Sequence, residues 1–233
     1  MYQIRLVVNF AGYKIVSERA FHILSDKKTC FCCIGRKKVL KESRFYAYIS
    51  RMKHIFRWSL MKNSQQESLS VHTLDTAVIA HSLGILRNRR FGGNCNVERL
   101  VMLAMYHDCS EILTGDMPTP IKYYNPEIKE AYKEVEAVAN KKLLEMLPED
   151  LRPDYKPFFD HSGEDPELLK LLKAADKISA LIKCVEEENS GNREFSKAKI
   201  SILESIEKME IPEATTFVEE FLPSYGLTID ELN

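Results

Sequence analysis

The sequence predicts an all-α protein, folded as a compact domain of several helices, and three observations support this. From about residue 43 onward, apolar side chains recur at the i, i+3, i+4 and i+7 spacing of amphipathic helices. The same region contains no convincing alternation of apolar and polar residues, so strands are not expected in it. Glycine and proline clusters interrupt the helical pattern repeatedly, which favours several packed helices over a long bundle.

Seven helices are predicted, over residues 43–54, 70–89, 96–108, 126–146, 165–189, 193–209 and 212–222. Gly92–Asn94 separates the second helix from the third, and Asn96 is a suitable N-cap for the third. Pro118 and Pro120 predict a rigid, non-helical loop over 114–121. A second loop region is predicted around Pro148, Pro153 and Pro157.

The composition is that of a globular protein with a sizeable apolar core. Of the 233 residues, 45% are hydrophobic and 29% are charged, and the formal net charge is −1. A general binder of nucleic-acid polymers would usually carry a basic excess, so none is expected as a partner. No apolar run approaches the roughly 20 residues that span a bilayer, and no secretory segment is recognisable. We therefore expect a cytoplasmic protein with reduced cysteines.

The predicted helix 96–108 ends in two polar side chains on its apolar face. The face itself is formed by Val97, Leu100, Val101 and Ala104. His107 and Asp108 continue that series, and burying them without partners would be costly. A divalent cation would satisfy both, because imidazole and carboxylate are good ligands for it. The alternative is a hydrogen-bonded His–Asp pair that closes the helix.

A second inward histidine is predicted near the start of helix 70–89. His72 shares one helical face with the apolar residues Ile79, Leu83 and Leu86. His81 falls on the opposite side and is predicted to lie at the surface. A lone inward histidine is usually a satisfied core residue, so His72 matters here as a possible further ligand.

An acidic residue interrupts the apolar face of helix 165–189. Asp176 follows Leu169 and Leu172 on that face, where a carboxylate is unusual unless it is paired or metal-bound. The alternative is a simple surface pair with a neighbouring lysine. Taken together, two imidazoles and two carboxylates suit a catalytic metal with open positions for water and substrate, the candidates being His72, His107, Asp108 and Asp176.

The spacing of these residues and the text around them resemble the HD-domain phosphohydrolases. More narrowly, the chain resembles the bacterial HD-domain 5′-deoxynucleotidases of the YfbR type. The resemblance covers residues 43–225 and is carried by YISRMKHIFRWSLM, SVHTLDTAVIAHSL, AMYHDCSEILTGDMPTPIKYYN and LLKAADKISALIKCVEE. It implies an HD-domain fold, one divalent cation such as Co²⁺ or Mn²⁺, and a homodimer. It also implies that the substrate is a deoxyribonucleoside 5′-monophosphate, hydrolysed to deoxynucleoside and phosphate.

The resemblance assigns roles to individual positions. It implies metal binding by the four candidate ligands, three of which (His72, Asp108 and Asp176) would also face the substrate. Arg57 would orient the phosphate and Trp58 would lie against the nucleotide. Asp116 would contact substrate and help to orient or activate the attacking water, with Met117, Pro118 and Thr119 beside it.

The residues themselves are compatible with those roles. Arg57 offers the forked geometry that binds phosphate bidentately, although a surface arginine beside a core indole is the plainer interpretation of Arg57–Trp58. The resemblance places Glu111 near the metal and the water. Glu111 would lie one turn beyond Asp108 on the same face if the helix continues. Two rival functions remain, a hydrolase of (p)ppGpp-type or cyclic nucleotides and a non-catalytic nucleotide-binding module.

Residues 1–42 are predicted to be a basic extension to a phosphohydrolase domain at 43–233. Residues 1–40 hold eight Lys or Arg and two Asp or Glu, and IRLVVNF could form a short strand. The Cys30–Cys33 cluster lacks the second cluster that a zinc site needs. Because the resemblance begins just after Val39 and Leu40, whose codons can initiate translation in bacteria, the extension is interpreted as a mis-called start, a basic docking arm or a disordered tail.

Overall fold

The computed structural model describes residues 9–10, 13–14, 42–122 and 124–233. The chain divides into two units, Met1–Glu42 and Ser43–Asn233. In the first, strand β1 (Asn9–Phe10) pairs antiparallel with strand β2 (Tyr13–Lys14), and β1 overlaps the end of the predicted IRLVVNF strand. The rest of that segment, the Cys30–Cys33 cluster and Val39–Leu40 lie outside the described residues.

The second unit is helical over its described residues, and the predicted all-α class is confirmed. Its α-helices, in chain order, are α1 (Phe45–Ile49), α2 (Leu69–Arg90), α3 (Val97–Tyr106), α4 (Glu111–Thr114), α5 (Thr119–Lys122), α6 (Pro126–Glu145), α7 (Arg152–Phe159), α8 (Pro166–Asn189), α9 (Ser196–Glu207) and α10 (Pro212–Glu220). Short 3₁₀ segments occur at Ser50–His54, Arg193–Phe195 and Leu222–Gly226.

The main core forms where α2, α3 and α8 pack together. Leu83 of α2, Leu100 of α3 and Leu171 of α8 are each fully buried within it. The long helices begin at polar caps, as the sequence predicts for α3, where Asn96 Oδ1 accepts from the backbone N–H of Arg99 at 2.9 Å. Burial of these apolar faces supplies the main driving force for the arrangement.

A second, smaller apolar cluster lies on the other side of the His107–Asp108 segment. Its fully buried members include Phe45 of α1, Cys109 and Leu143 of α6. Ala104, at the end of α3, belongs to the first core, whereas Cys109 belongs to the second. His107 and Asp108 are therefore fixed between two packed regions, which limits the freedom of their backbone.

Three sequence predictions about helix limits are wrong. Helix 96–108 ends at Tyr106, because the chain turns through i to i+3 bonds, including Glu111 N–H to Asp108 O at 3.0 Å. The loop predicted around Pro148–Pro157 contains α7, since Pro153 falls in the first turn, where a missing N–H costs nothing. The loop predicted over 114–121 contains the start of α5 for the same reason, with Pro120 in its first turn.

Within the described residues, one helix is long and apolar enough by composition to cross a membrane. This is α2, whose most apolar 18-residue window has a mean hydropathy of 1.3. The window is 56% buried inside the domain, as expected of the central helix of a core.

Candidate active site

Four side chains from three separate segments converge beside the main core. His72 comes from the first turn of α2, Asp176 from the middle of α8, and His107 and Asp108 from the turn after α3. One ligand atom from each lies within 4.8 Å of the others. His72 Nε2 is 3.1 Å from Asp176 Oδ1 and 3.4 Å from Asp108 Oδ2. The structure thus brings together all four predicted metal ligands.

One oxygen of Asp108 occupies the centre of this group. Asp108 Oδ2 lies 3.0 Å from His107 Nε2 and 3.5 Å from Arg57 Nη1, in addition to its approach to His72. His107 and His72 hold the pKa of Asp108 well below its ordinary value, although burial alone would raise it. The carboxylate is therefore ionised at neutral pH and able to bind a cation.

The hydrogen bonding of His107 leaves one ring nitrogen directed at the group. His107 Nδ1 is 2.7 Å from the carbonyl oxygen of Ala104. A carbonyl only accepts, so Nδ1 carries the hydrogen and Nε2 of the neutral ring keeps its lone pair. Nε2 is buried and has no hydrogen-bond partner, despite its short distance to Asp108. An unsatisfied buried nitrogen beside two carboxylates is what a metal ligand needs, and the donor set fits a divalent cation.

The neighbouring carboxylates also change the pKa of His107. Burial disfavours the imidazolium, but the adjacent Asp108 carboxylate outweighs it and raises the pKa of His107 to about 9. A positive charge is thus strongly favoured at this point of the site. A bound cation would satisfy the same electrostatic demand in place of the proton.

Burial follows the sequence prediction for the histidines but not for Asp176. His72 is fully buried on the face of Ile79, Leu83 and Leu86, and His81 is exposed; both predictions are confirmed. The Asp176 side chain, predicted to be buried, keeps 40% of its surface exposed. Through Asp176, the group of four candidate ligands is therefore open to solvent.

Arg57 and Trp58 lie beside the four ligands and share an acidic partner. The Arg57 side chain is only 13% exposed, so its interpretation as a surface arginine is wrong. The Trp58 ring packs on Phe195, with 5.2 Å between centroids, and remains partly exposed. Glu67 accepts from Trp58 Nε1 at 2.7 Å and from Arg57 Nε at 3.3 Å.

Two further carboxylates, Glu111 and Asp116, follow the turn that carries His107 and Asp108. The predicted position of Glu111, one turn beyond Asp108, required helix α3 to continue to it. Instead, α3 ends at Tyr106 and Glu111 starts the separate helix α4. Its side chain is buried, Oε2 has no partner, and burial together with Asp108 raises its pKa to about 9. Burial also raises the pKa of Asp116, against the opposing effect of Arg57.

Gly115 determines the direction in which Asp116 leaves α4. Its φ of +76° and ψ of +160° belong to a region that only glycine adopts readily. The three residues after Asp116 are those predicted to lie beside the substrate. Met117 and Pro118 are partly buried, and Thr119 is exposed at the start of α5.

Sequence reasoning missed three residues that contact the site or its neighbours. Ser179 Oγ lies 3.0 Å from His72 Nδ1, and its position one turn after Asp176 was the available signal. Lys122 donates to Glu136 at 2.9 Å and lies near enough to Glu111 to be affected by its charge. Glu67 lies in a loop without periodicity, so no pattern could have identified it.

Comparison with known protein families identifies the chain. Residues 44–225 match the family described as 5′-deoxynucleotidase YfbR-like. The chain belongs to this family. A 5′-deoxynucleotidase of Vibrio cholerae is 46% identical over 194 residues, which cover 83% of this chain and all of the relative. The 5′-deoxynucleotidase YfbR of Escherichia coli is 45% identical over 194 residues, covering 83% of this chain and 98% of that relative. The predicted resemblance is confirmed.

Solved structures similar to this YfbR-like family member confirm its HD-domain fold. An HD-domain phosphohydrolase of Listeria innocua superposes with a TM-score of 0.69 at 26% identity, over 78% of this chain and 88% of its own. The HD phosphohydrolase DatZ of cyanophage S-2L, bound to dA and one catalytic Zn²⁺ ion, gives a TM-score of 0.57 at 17% identity. That match covers 79% of this chain and 98% of DatZ, and it bears on the fold alone.

Proposed function

We propose that this chain is a metal-dependent 5′-deoxynucleotidase. It is a phosphoric monoester hydrolase that converts deoxyribonucleoside 5′-monophosphates to deoxynucleosides and inorganic phosphate. The observation that carries the proposal is the convergence of four ligand atoms within 4.8 Å, directly beside the guanidinium of Arg57. Membership of a family whose relatives are named 5′-deoxynucleotidases supports the choice of substrate.

His72, His107, Asp108 and Asp176 would hold one divalent cation, with Co²⁺, Mn²⁺ or a similar ion as the cofactor. When bound, the cation supplies a Lewis acid for the phosphate and lowers the pKa of a bound water. The partnerless Nε2 of His107 and the partial exposure of Asp176 support this assignment. Because Asp176 is partly exposed, the cation would keep open positions on its solvent side for phosphate and water.

Arg57 and Trp58 would bind the two halves of the substrate. The nearly buried Arg57 guanidinium keeps donors free beyond its contacts with Glu67 and Asp108, and these would bind and orient the phosphate. Its charge would stabilise the equatorial oxygens as the P–O bond to the leaving group breaks. The partly exposed indole of Trp58 would lie against the sugar or base.

Glu111 and Asp116 would position the attacking water, and Asp116 would help to activate it by accepting its proton. Glu111 Oε2 is buried without a partner and is therefore available to hold a water molecule. Asp116 is partly exposed and would contact substrate from the edge of the site. Met117, Pro118 and Thr119 would complete the wall of the pocket next to it.

The proposal extends to the domain limits, the oligomeric state and the cellular location of the enzyme. The catalytic domain is 43–233, with residues 1–42 as an extension, in keeping with the family match at 44–225. The protein would act as a cytoplasmic homodimer, without a nucleic-acid polymer or a membrane as partner. Light scattering of the purified protein measures the oligomeric state, and a monomer at working concentration contradicts the dimer.

A nucleotide-by-metal panel with phosphate release as the readout tests the function. Turnover of dAMP and dCMP with Co²⁺ or Mn²⁺, and no turnover of AMP, is the expected result. His107→Ala should abolish turnover, whereas the exposed His81→Ala should not change it. Preferred hydrolysis of (p)ppGpp or a cyclic nucleotide contradicts the proposed substrate. Binding of nucleotide without turnover under any metal indicates a non-catalytic module.

A further inference from the structure

Glu67 joins the two residues proposed to hold opposite ends of the substrate. It is buried, with only 7% of its surface exposed, yet it lies in a loop and belongs to no metal-binding group. One oxygen, Oε2, accepts from both Trp58 Nε1 and Arg57 Nε, at 2.7 and 3.3 Å. The other, Oε1, is 4.0 Å from His72 Nδ1. A single carboxylate therefore contacts Arg57 and Trp58 and lies next to a proposed metal ligand.

The backbone places Glu67 opposite Arg57 in a short antiparallel pairing. The N–H of Arg57 donates to the carbonyl of Glu67 at 3.0 Å, and the N–H of Leu69 donates to that of Ile55 at 2.8 Å. An isolated bridge between Phe56 and Ser68 lies between these bonds. The pairing closes the loop from Trp58 to Gln66 at its base, so Arg57 and Glu67 cannot separate independently.

The loop from Trp58 to Gln66 is also bound to the C-terminal end of α8, through the buried side chain of Glu187. Glu187, 1% exposed, accepts from the backbone N–H of Ser64 at 2.8 Å and of Gln65 at 3.3 Å. Lys183 donates both to Glu187 and to the carbonyl of Gln65. Since α8 also carries Asp176, the loop and the proposed metal centre are fixed to the same rigid helix.

Trp58 has a backbone conformation that a tryptophan does not favour. Its φ is +59°, in the left-handed region, which is rare for a bulky residue. The strain is opposed by bonds to its carbonyl from Met61 N at 2.9 Å and Asn63 Nδ2 at 3.2 Å. The bond from its indole to Glu67 fixes the ring itself. Such strained residues persist where the surroundings determine the geometry, commonly at binding sites.

We propose that Glu67 is a positioning residue that sets the relative orientation of Arg57 and Trp58. By holding the guanidinium and the indole on one oxygen, it fixes the distance between the phosphate site and the nucleoside site. The enzyme would then recognise a 5′-monophosphate and its sugar as one rigid unit. This inference rests on the proposed function for its kinetic consequences, but the orientation of the indole is independent of turnover.

Glu67→Gln is the informative substitution, because it keeps the size of the side chain and removes its charge. A glutamine oxygen at the Oε2 position can still accept from both donors, but it lacks the negative charge that strengthens these contacts, and its amide nitrogen takes the Oε1 position next to His72 Nδ1. Glu67 and Glu186 both line a cavity of about 210 Å³. Glu186→Gln is the matched control, since Glu186 is exposed. Both variants are first checked for folding by circular dichroism and for binding of Mn²⁺ by calorimetry.

The first readout uses the fact that Trp58 is the only tryptophan of the chain. We expect Glu67→Gln to shift the emission maximum and to increase quenching by acrylamide, with Glu186→Gln matching the wild type. The second readout is kinetic. A loss of one charge-assisted contact should lower kcat/KM for dAMP by about 10- to 100-fold, mainly through KM, and reduce discrimination against AMP.

The outcomes separate this inference from the proposed function. If Glu67→Gln leaves both the fluorescence and the KM for dAMP unchanged, Glu67 does not position these residues. A changed kcat with unchanged KM and emission also overturns the proposal, because the residue would then act in the chemical step. If the wild type hydrolyses no deoxynucleotide, the proposed function fails, while the emission and quenching still report whether Glu67 holds the indole.

Discussion

His107 Nδ1 lies 2.7 Å from the carbonyl oxygen of Ala104, in the last turn of α3. This hydrogen bond ties the imidazole to the end of the helix that delivers it. The ring orientation is therefore set by backbone that is buried in the main core, where Ala104 is fully buried. The catalytic residues of a pre-organised site need such support, because small displacements of a ligand weaken metal binding.

Replacing one of the four candidate ligands should reduce the thermal stabilisation that a bound metal ion gives to the protein. In the wild type, Mn²⁺ or Co²⁺ should bind the native state in preference to the unfolded chain, and so the melting temperature should rise with the concentration of the ion. We expect Asp176→Asn to bind the cation about 10- to 100-fold more weakly, because a neutral amide replaces a carboxylate. Thermal unfolding over a metal titration measures this.

Asp150→Asn is the control for that experiment, since Asp150 is exposed in the loop before α7. Its melting temperature should respond to metal as the wild type does. An Asp176→Asn protein with an unchanged metal response would remove Asp176 from the ligand set.

Replacement of Arg57 by lysine should impair the hydrolysis of dAMP. Arg57 contacts Glu67 through Nε and Asp108 through Nη1, and a lysine ammonium cannot make both contacts and bind phosphate bidentately. We expect Arg57→Lys to lower kcat/KM for dAMP by about 10- to 100-fold. Arg51→Lys, at an exposed position of the 3₁₀ segment Ser50–His54, should retain wild-type kinetics. Equal activity of the two variants would contradict the proposed phosphate contact.

Gly115→Ala should disturb Asp116 through the backbone alone. A Cβ at Gly115 meets no atom within 4 Å, so the cost comes from its φ of +76°. We expect a loss of about 1–3 kcal/mol in the free energy of unfolding, with a fall in kcat as Asp116 is displaced. Denaturant unfolding and steady-state kinetics measure the two effects.

Gly163→Ala provides the comparison, because Gly163 is equally open but lacks a positive φ. It should leave both unfolding and kcat at wild-type values. If the two alanine variants behave alike, the backbone geometry of Gly115 does not matter to the site.

The stability difference between the wild type and Glu187→Gln should depend on pH, because Glu187 is a buried and paired carboxylate. Burial alone would raise the pKa of Glu187, but hydrogen bonds from Lys183, Ser64 and Asn192 hold it well below the ordinary value. Its contribution is thus complete above the unfolded-state pKa, about 4.3, and is lost as the pH falls below it. We expect Glu187→Gln to be about 2–3 kcal/mol less stable at pH 7, since the buried Lys183 loses its charged partner and keeps only the carbonyl of Gln65.

Denaturant unfolding from pH 7 down to about pH 2.5 checks this, and the gap to the wild type should narrow only below about pH 4.3. Glu188→Gln is the control, because Glu188 pairs with Lys199 at 2.7 Å in a more exposed position. Its cost should not exceed about 1 kcal/mol. A gap for Glu187→Gln that widens as the pH falls would contradict the sign of the argument.

Periodicity in the sequence was sufficient to predict the helices that form the main core. His72 and Asp176 could be identified because they interrupt apolar faces of α2 and α8, where a polar residue is conspicuous. The exposure of Asp176 could not be predicted, since it depends on how α8 lies against the turn after α3. Helix α7 was missed because its prolines were interpreted as breakers, although Pro153 falls where the helix tolerates it.

The remaining site residues depend on contacts that no local pattern records. Glu67 has no periodic neighbours, and its importance follows from the loop that closes on Arg57. The turn that ends α3 before His107 is followed at once by Cys109, which packs in the second cluster with Phe45 and Leu143 from distant parts of the chain. The resemblance to a known family supplied Arg57, Trp58 and Asp116, for which spacing alone offered only weak support.

The four candidate ligands come from α2, the turn after α3, and α8, and so they are synthesised at widely separated times. A nascent chain that has not yet reached Asp176 holds three of them at most. The centre is complete only after α8 has docked against α2, a contact between segments far apart in the sequence. Hydrolytic capacity should therefore appear together with the finished core, so that partly made or truncated chains leave the nucleotide supply of the cell untouched.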